Sequence, residues 1–139
     1  FGPRASGVAH FPIWCGIMAV LGHVFSVFVG FRGGKGVATA GGVVIALAPL
    51  AFPLVVVVWA LIVWLTGYVS LGSIVAAALF PVADYVFHPA RRSGVTLVFD
   101  VGIAGFIIWK HRANIHRLLA GTENRFGKRN RSSATSPPT

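Results

Sequence analysis

The chain has 139 residues, of which 55% are hydrophobic and 11% charged, and its mean hydropathy is +0.78. This composition excludes an ordinary soluble enzyme and indicates an integral membrane protein. The net charge of +9 comes from twelve basic residues set against three acids, which suggests a cytoplasmic face that meets anionic lipid headgroups or substrates. Because the apolar segments leave no soluble domain to present a basic patch, we expect no nucleic-acid partner.

Long apolar segments predict an all-α fold, a polytopic bundle of about five transmembrane helices. A helix needs about 20 apolar residues to cross a hydrocarbon core of roughly 30 Å. Pro12 is expected in the first turn of the first span or at a kink in it. Pro49 and Pro53 favour a turn between two helices, since proline clashes with the preceding helical turn. The predicted segments are residues 8–28, 37–65 in two parts, 71–87 and 95–109.

The basic residues set the expected topology. Dividing the longest segment in two gives four crossings between the glycine-rich loop at residues 30–36 and the basic C-terminal region. Both then face the cytoplasm, as the positive-inside rule favours. Arg91 and Arg92 fall on the outer side, where we expect Asp84 and Asp100 to pair with them.

One domain is expected. Residues 1–128 would form a single membrane domain and residues 129–139 a disordered basic tail. The chain begins at Phe1 without the pattern of a signal peptide, so we expect it to lack its true N-terminus. Cys15 is the only cysteine, and the histidines have no metal-ligand spacing, so neither an intrachain disulfide nor a metal site is predicted.

A glycine-rich loop lies between two apolar segments, in the stretch GHVFSVFVGFRGGKGVAT at residues 22–39. Such a loop can turn backbone N–H groups and a fixed positive charge toward a phosphate. A surface anchor on lipid headgroups is the alternative. His23, inside the preceding apolar helix, is either functional or hydrogen-bonded to a neighbouring helix. The loop residues proposed to bind phosphate are Arg32, Gly33, Gly34, Lys35 and Gly36.

A basic cluster occupies residues 110–123. At helical spacing Lys110, Asn114 and Arg117 share one face, with His111 beside them. This face could present several donors and one titratable base to a charged substrate. A basic helix that binds lipid headgroups is the alternative.

Three further polar residues are candidates. Glu123 is the only acid outside the predicted spans, and it could orient a basic group, act as a general base or pair with Arg117 or Arg125. Ser70 and Ser73 are three residues apart, which places both on one helical face. They could bind a ligand or form hydrogen bonds between helices.

Together these stretches resemble a known family, the bacterial acyl-phosphate:glycerol-3-phosphate acyltransferases of the PlsY type. The matching motifs are residues 22–39, YVSLGSI at 68–74 and HRANIHRLLAGTENRFG at 111–127. The resemblance implies a multi-pass enzyme of the bacterial inner membrane with its active site on the cytoplasmic face. It would transfer a fatty acyl group from acyl phosphate to glycerol-3-phosphate, giving lysophosphatidic acid, without a metal or cofactor.

The resemblance also implies roles for particular residues. The segment from Gly33 to Gly36 would bind phosphate through Lys35, and Ser70 and Ser73 would supply hydroxyls near the site. The third motif would supply the catalytic residues, which are His111, Asn114 and Glu123.

Two departures from the family pattern stand out. The family's first motif has no counterpart and belongs before Phe1, and Gly67 replaces a basic residue expected before Tyr68. Acyl-chain preference, the proton acceptor and the oligomeric state stay open. A small-anion transporter and a catalytically silent membrane subunit are the alternative functions.

Overall fold

The structure, a computed structural model, describes residues 4–26, 30 and 34–126, with side chains from residue 10 onwards. Helices are the only regular secondary structure within these residues, so the predicted all-α fold is confirmed. A 3-10 turn, Pro89–Arg91, joins the fourth and fifth helices. The α-helices of the described residues are α1 (Arg4–Val24), α2 (Val37–Leu47), α3 (Ala51–Thr66), α4 (Val69–Phe87), α5 (Gly94–Lys110) and α6 (Arg112–Leu119).

Helix α4 lies at the centre of the bundle, between α3 and α5, while α1 packs against α2 and α5. Small residues let these helices approach closely. A Cβ atom added at Gly72 of α4 would lie 3.1 Å from the backbone oxygen of Trp59 on α3. One added at Gly16 of α1 would lie 2.8 Å from Cγ1 of Val43 on α2.

The outer surface carries large apolar side chains in place of the charges typical of a soluble protein. Trp64 is 80% exposed and Val98 is 74% exposed. Aligned helices with such surfaces suit a lipid environment better than water.

Within the part of the chain that the structure describes, two helical units have the length and hydropathy of a membrane span. They are α4 alone, with 19 residues, and α5 together with α6, which meet at a bend of 56°. The other apolar helices are shorter: α2, α3 and the segment His10–Val24 of α1. The count of five spans therefore stays approximate.

The predicted division of the longest segment is confirmed. Helix α2 ends at Leu47 and α3 begins at Ala51, with Pro49 in the turn between them. Pro53 falls in the first turn of α3, where its missing N–H group has no intrahelical partner to lose.

Other predicted boundaries were less accurate. Helix α1 ends at Val24, four residues before the predicted end, and Pro12 lies inside it. The segment predicted to begin at residue 71 begins two residues earlier, because α4 starts at Val69, and only Gly67 and Tyr68 separate it from α3. Gly67 closes α3 with a φ of 74°, a left-handed conformation that glycine adopts without a Cβ penalty.

A polar cluster lies at the α4–α5 turn. Arg91 donates to Asp84 at 2.6 Å, as predicted, and Nδ1 of His88 lies 2.9 Å from the same carboxylate oxygen. The pairing predicted for Arg92 is wrong: its guanidinium bonds the backbone oxygen of Tyr85 at 2.8 Å and stacks on that ring. Asp100 is buried, and its Oδ1 has no hydrogen-bond partner among the described residues.

Candidate functional site

A polar cavity of about 800 Å³ lies at the end of the bundle where α4 begins and α5 ends. Its polar residues come from the end of the glycine-rich loop, the first turns of α4, the α5–α6 junction, helix α6 and the segment that follows α6, while α2 and α3 complete the wall. Its polar and charged lining residues are Lys35, Ser70, Ser73, His111, Asn114, Arg117, Glu123, Asn124 and Arg125.

Glu123 holds these parts together. Its Oε1 accepts hydrogen bonds from the Ser70 hydroxyl at 2.7 Å and from Asn114 Nδ2 at 2.6 Å. Its Oε2 accepts from Arg117 Nε at 2.7 Å. One carboxylate thus fixes α4, α6 and the following segment against one another, and hydrogen bonds to an ionised acceptor are the stronger kind.

The chain reverses after α6 to bring Glu123 back onto the site. Gly121 has a φ of 69°, and its N–H bonds the oxygen of Leu118 at 3.2 Å while the N–H of Thr122 bonds the oxygen of Arg117 at 2.8 Å. This pair of bonds is a Schellman motif, whose left-handed residue is usually glycine. The position of Gly121 therefore explains how a residue beyond α6 reaches α4.

The hydrogen bonds around Glu123 determine its charge. Burial raises the pKa of this carboxyl, but the bonds from Asn114, Ser70 and Arg117, together with the Arg117 charge, outweigh burial and hold the pKa below its ordinary value. Glu123 is therefore ionised at neutral pH. Because three donors occupy its two oxygens, it suits orientation of its neighbours better than proton abstraction.

His111 is a buried imidazole at the junction of α5 and α6, with 2% of its surface exposed. Its Nδ1 lies 2.8 Å from the backbone oxygen of Ile107. Since a carbonyl oxygen can only accept, Nδ1 carries the proton and Nε2 of the neutral ring keeps a lone pair.

The surroundings of His111 keep it neutral. Burial chiefly lowers its pKa, and the positive charge of Lys35 lowers it further, whereas the Ile107 bond and the charge of Glu123 act in the opposite direction. A neutral imidazole beside a cation can accept a proton from a hydroxyl group at pH 7.

Asn114 has one free hydrogen-bonding atom. Its amide nitrogen must face Glu123, because a carboxylate only accepts, and its Oδ1 is then buried without a partner among the described residues. An orphaned buried acceptor is costly unless a donor reaches it. The free Oδ1 therefore suits a substrate hydroxyl.

The two serines lie side by side on α4, as predicted. Ser70 bonds Glu123, and the Ser73 hydroxyl donates to the oxygen of Val69 at 2.9 Å and accepts from Trp59 Nε1 at 3.3 Å. Both are buried and both line the cavity. Ser73 thus also provides the interhelical bond that was the alternative interpretation.

The glycine-rich loop enters the site through Lys35, which lines the cavity. Gly36 caps α2 with a φ of 79°, and a Cβ there would lie 3.0 Å from Cγ2 of Val24 on α1. A Cβ at Gly34 would lie 3.0 Å from His23 Nε2, so His23 borders the loop without lining the cavity. Arg32 and Gly33 fall outside the described residues.

The predicted helical face with Lys110 is wrong. The helix breaks at His111, and the 56° bend separates Lys110 from Asn114 and Arg117. The Lys110 ammonium lies over the rings of Phe25 and Trp109 instead, at 5.5 Å and 5.8 Å from their centres.

Three contributors to the cavity were missed as site residues. Trp59 of α3 forms part of the wall, and no local pattern distinguishes it from other apolar residues of its helix. Asn124 and Arg125 also line the cavity, and the sequence suggested Arg125 only as a partner of Glu123. Of the two partners suggested for Glu123, Arg117 is confirmed, whereas Arg125 donates to the Tyr68 hydroxyl.

An apolar groove of about 160 Å³ adjoins the polar cavity. It lies between α2, α3, α4 and α5, and small residues such as Gly41 and Ala77 leave the space. The two share three wall residues, which are Val37, Trp59 and Ser73.

The fold and the site define a helical membrane protein with a largely cationic cavity at one end of its bundle and an apolar groove beside it. The chain belongs to the glycerol-3-phosphate acyltransferase family, whose model matches residues 4–121.

Several relatives share this name. Glycerol-3-phosphate acyltransferase of Trichlorobacter lovleyi is 52% identical over 113 residues, covering 81% of this chain and 57% of the relative. The enzymes of Chlorobium luteolum and Fusobacterium nucleatum are each 43% identical, covering 81% and 80% of this chain and 58% and 56% of their own lengths. The chain thus spans little more than half the length of the relatives it matches.

Two crystal structures are also similar. Both are of PlsY (YgiH), an integral membrane glycerol 3-phosphate acyltransferase, one in its glycerol 3-phosphate form and the other in its lysophosphatidic acid form. Each has a TM-score of 0.76 and 43% identity, covering 83% of this chain and 56% or 57% of the solved chain. The match supports the assignment to a membrane.

Proposed function

We propose that this chain carries the site of an enzyme that transfers a fatty acyl group from acyl phosphate to glycerol-3-phosphate, giving lysophosphatidic acid. The observation that supports this proposal most strongly is the group of polar residues around Glu123. A neutral His111 and the unpaired Oδ1 of Asn114 lie in one cavity, which Lys35 also lines. Each of these groups has one role in the proposed reaction.

The charge of the cavity suits anionic substrates. Lys35, Arg117 and Arg125 line it, whereas Glu123 is its one acidic lining residue and is already bonded to Arg117. Both proposed substrates carry a phosphate, and lysine and arginine bind phosphate by charge and by hydrogen bonds.

The polar residues suit attack by a hydroxyl. Asn114 Oδ1 accepts a hydrogen bond from the glycerol hydroxyl, and His111 Nε2 takes its proton as the hydroxyl oxygen bonds to the acyl carbonyl carbon. The bond between that carbon and the bridging oxygen of the phosphate then breaks, and its electron pair leaves with inorganic phosphate. Lys35 stabilises the negative charge that develops.

The apolar groove suits the acyl chain. It meets the cavity at Trp59 and Ser73, so a chain lying in the groove brings its carboxyl end to the polar residues. Each buried methylene contributes about 0.8 kcal/mol. We place the enzyme in the bacterial inner membrane, with the cavity on the cytoplasmic face, where the basic residues around it face anionic headgroups. Family membership disfavours the transporter alternative.

Replacement of two lining residues tests this function. In the intact protein, reconstituted in liposomes with acyl phosphate and glycerol-3-phosphate, Lys35→Ala and Asn114→Ala should each lower the rate of lysophosphatidic acid formation at least a hundredfold, about the cost of removing one preorganised polar group from an active site. Lys110→Ala, which removes a cation that lies outside the cavity, is the matched control and should keep the wild-type rate. Wild-type rates in the first two variants would refute the site.

A further inference from the structure

Arg125 is a cavity residue that the proposed mechanism leaves without a role. Its Nε donates to the Tyr68 hydroxyl at 2.9 Å, and its guanidinium lies over the Tyr68 ring, 4.9 Å from the centre. Tyr68 directly precedes α4, and Arg125 lines the same cavity as Lys35 and His111.

The backbone fixes this arrangement. The N–H of Phe126 donates to the oxygen of Gly67 at 2.7 Å, which attaches the segment after α6 to the α3–α4 turn. Arg125 packs directly on this turn, since a Cβ at Gly67 would lie 3.5 Å from Arg125 Cβ, an ordinary contact distance. The attachment depends on a backbone bond and on this packing, and neither requires a positive charge at residue 125.

The guanidinium keeps unused donors. Arginine has five N–H groups in a planar fork, and Arg125 uses only Nε within the part of the chain that the structure describes. Stacking on the Tyr68 ring holds the fork in one orientation at little cost in hydration. Its terminal nitrogens are thus available to a planar or tetrahedral anion.

The charge also lacks a partner. Among residues 34–126 no carboxylate pairs with Arg125, and Glu123, two residues away, already accepts from three other donors. Arg125 lines the same cavity as Lys35, and in that cavity Arg117 is already paired with Glu123.

We propose that Arg125 is a substrate-binding residue of this cavity that contacts a phosphoryl group through its free guanidinium nitrogens. The inference rests on the proposed function, in which two phosphoryl groups enter one cavity. Lys35 lies near enough to His111 to lower the pKa of the imidazole. We therefore assign Lys35 to the phosphoryl group that lies beside His111. Arg125, held on Tyr68, serves the other, which belongs either to acyl phosphate or to glycerol-3-phosphate.

Kinetics with each substrate varied in turn test the proposal. Arg125→Gln should raise the KM for one substrate about tenfold or more, as expected for loss of a charged hydrogen bond, and change kcat less. Arg125→Lys should recover part of the loss, since it keeps the charge without the fork. Arg112→Gln is the control, because Arg112 is exposed and stacks on Trp109 away from the cavity.

The pattern of KM values identifies the source of the phosphoryl group. A rise for acyl phosphate, with weaker product inhibition by inorganic phosphate, assigns Arg125 to the acyl donor. A rise for glycerol-3-phosphate assigns it to the acceptor. Unchanged KM values for both substrates would overturn the proposal in favour of a purely structural contact. Equal losses of kcat in Arg125→Gln and Arg125→Lys, with no change in either KM, would lead to the same conclusion.

A binding measurement separates this proposal from the proposed function. Inorganic phosphate should raise the melting temperature of the wild-type protein in detergent and raise that of Arg125→Gln much less, with Arg112→Gln behaving as wild type. If the wild type transfers no acyl group but this difference persists, the transfer function fails and the anion contact stands. If phosphate stabilises wild type and Arg125→Gln equally, the contact is refuted whatever the activity.

Discussion

At the scale of single residues, one carboxylate organises the site through its hydrogen bonds. Glu123 satisfies donors from Ser70, Asn114 and Arg117, and by taking the Asn114 amide nitrogen it leaves Asn114 Oδ1 facing away. The orientation of Asn114 Oδ1 therefore follows from the negative charge of Glu123 on the other side of the amide group. Preorganisation of this kind means that little rearrangement is required when the substrate binds.

His111 gives the site a pH dependence. A general base works in its neutral form, so the rate falls as pH drops through its pKa. Because burial and Lys35 lower that pKa from the ordinary 6.5, the acid limb of kcat/KM should have its midpoint below pH 6.5. The measurement is the rate of lysophosphatidic acid formation from pH 4.5 to 8, a range chosen to bracket the ordinary imidazole pKa.

Substrate phosphates titrate in the same range, so a variant must separate the two effects. In His111→Gln the residual rate should lose the limb that belongs to the imidazole, while a limb that belongs to substrate persists. The assignment of His111 as the base fails if the wild type and His111→Gln share the same midpoint, or if the wild-type midpoint lies above pH 6.5.

The sequence identified most of these residues but not their contacts. Glycines beside a lysine, and a histidine three residues before an asparagine, are local signals of polar chemistry in an apolar chain. The bond between Ser70 and Glu123 joins residues 53 apart, and no local pattern encodes such a distance. For the same reason the sequence left Arg117 and Arg125 as alternative partners of Glu123, since only the folded chain brings Tyr68 to Arg125.

At the scale of helices, close packing of α3 on α4 positions the site. Gly72 makes this approach possible, because an added Cβ would lie 2.9 Å from Val63 Cγ2 and 3.1 Å from the backbone oxygen of Trp59. The side chain of Val63 could rotate away, but the Trp59 carbonyl belongs to the helix and cannot. The two helices would have to separate, which would also disturb the Trp59–Ser73 hydrogen bond.

We therefore expect Gly72→Ala to destabilise the protein by about 1–3 kcal/mol, the usual cost of overpacking. Gly105→Ala on α5 is the matched control. Nothing lies within 4 Å of a Cβ at Gly105, so the higher helix propensity of alanine should leave stability unchanged or raise it by up to about 1 kcal/mol. Thermal or denaturant unfolding in detergent measures both, and equal stabilities in the two variants would contradict the packing argument.

Helix boundaries were predictable where a residue's own covalent structure ends a helix, and less so where contacts with other helices determine the boundary. Proline removes an N–H group and clashes with the preceding turn, so the break between α2 and α3 could be placed from Pro49 and Pro53. The bend at His111 has no such residue. It accompanies burial of the imidazole and its bond to Ile107, which depend on neighbouring helices, and so helical spacing alone placed Lys110 on one face with Asn114.

At the scale of the whole molecule, the two ends of the bundle differ in chemistry. The α4–α5 turn has an ion-paired cluster in which Asp84 bonds Arg91 and contacts His88. The opposite end has the open cavity with its cations. An apolar groove leads from that cavity into the bundle, so a substrate that is both anionic and aliphatic can place each part in a matching environment.

In the proposed function, the packing of the helices around the groove sets the preferred length of the acyl chain. Ala77 lines it and is 8% exposed, and the neighbouring Ala78 lies on the exposed side of the same helix. A leucine at residue 77 would fill space that methylenes of a long chain occupy, whereas a leucine at residue 78 would face the lipid. The two substitutions add the same atoms to the same helix and differ only in the direction they face.

Ala77→Leu should lower kcat/KM for hexadecanoyl phosphate relative to octanoyl phosphate by roughly fourfold for each methylene displaced, the equivalent of about 0.8 kcal/mol. Ala78→Leu should keep the wild-type ratio. Competition between the two acyl phosphates in one reaction measures this ratio directly, without reference to the amount of active protein. A wild-type ratio in Ala77→Leu would place the acyl chain elsewhere, and an equal shift in both variants would attribute the effect to the lipid-facing surface. A change of this ratio in Ala77→Leu alone would mean that the space between the four helices determines which acyl phosphates the enzyme prefers. The reason is that no polar residue of the cavity differs between the two variants.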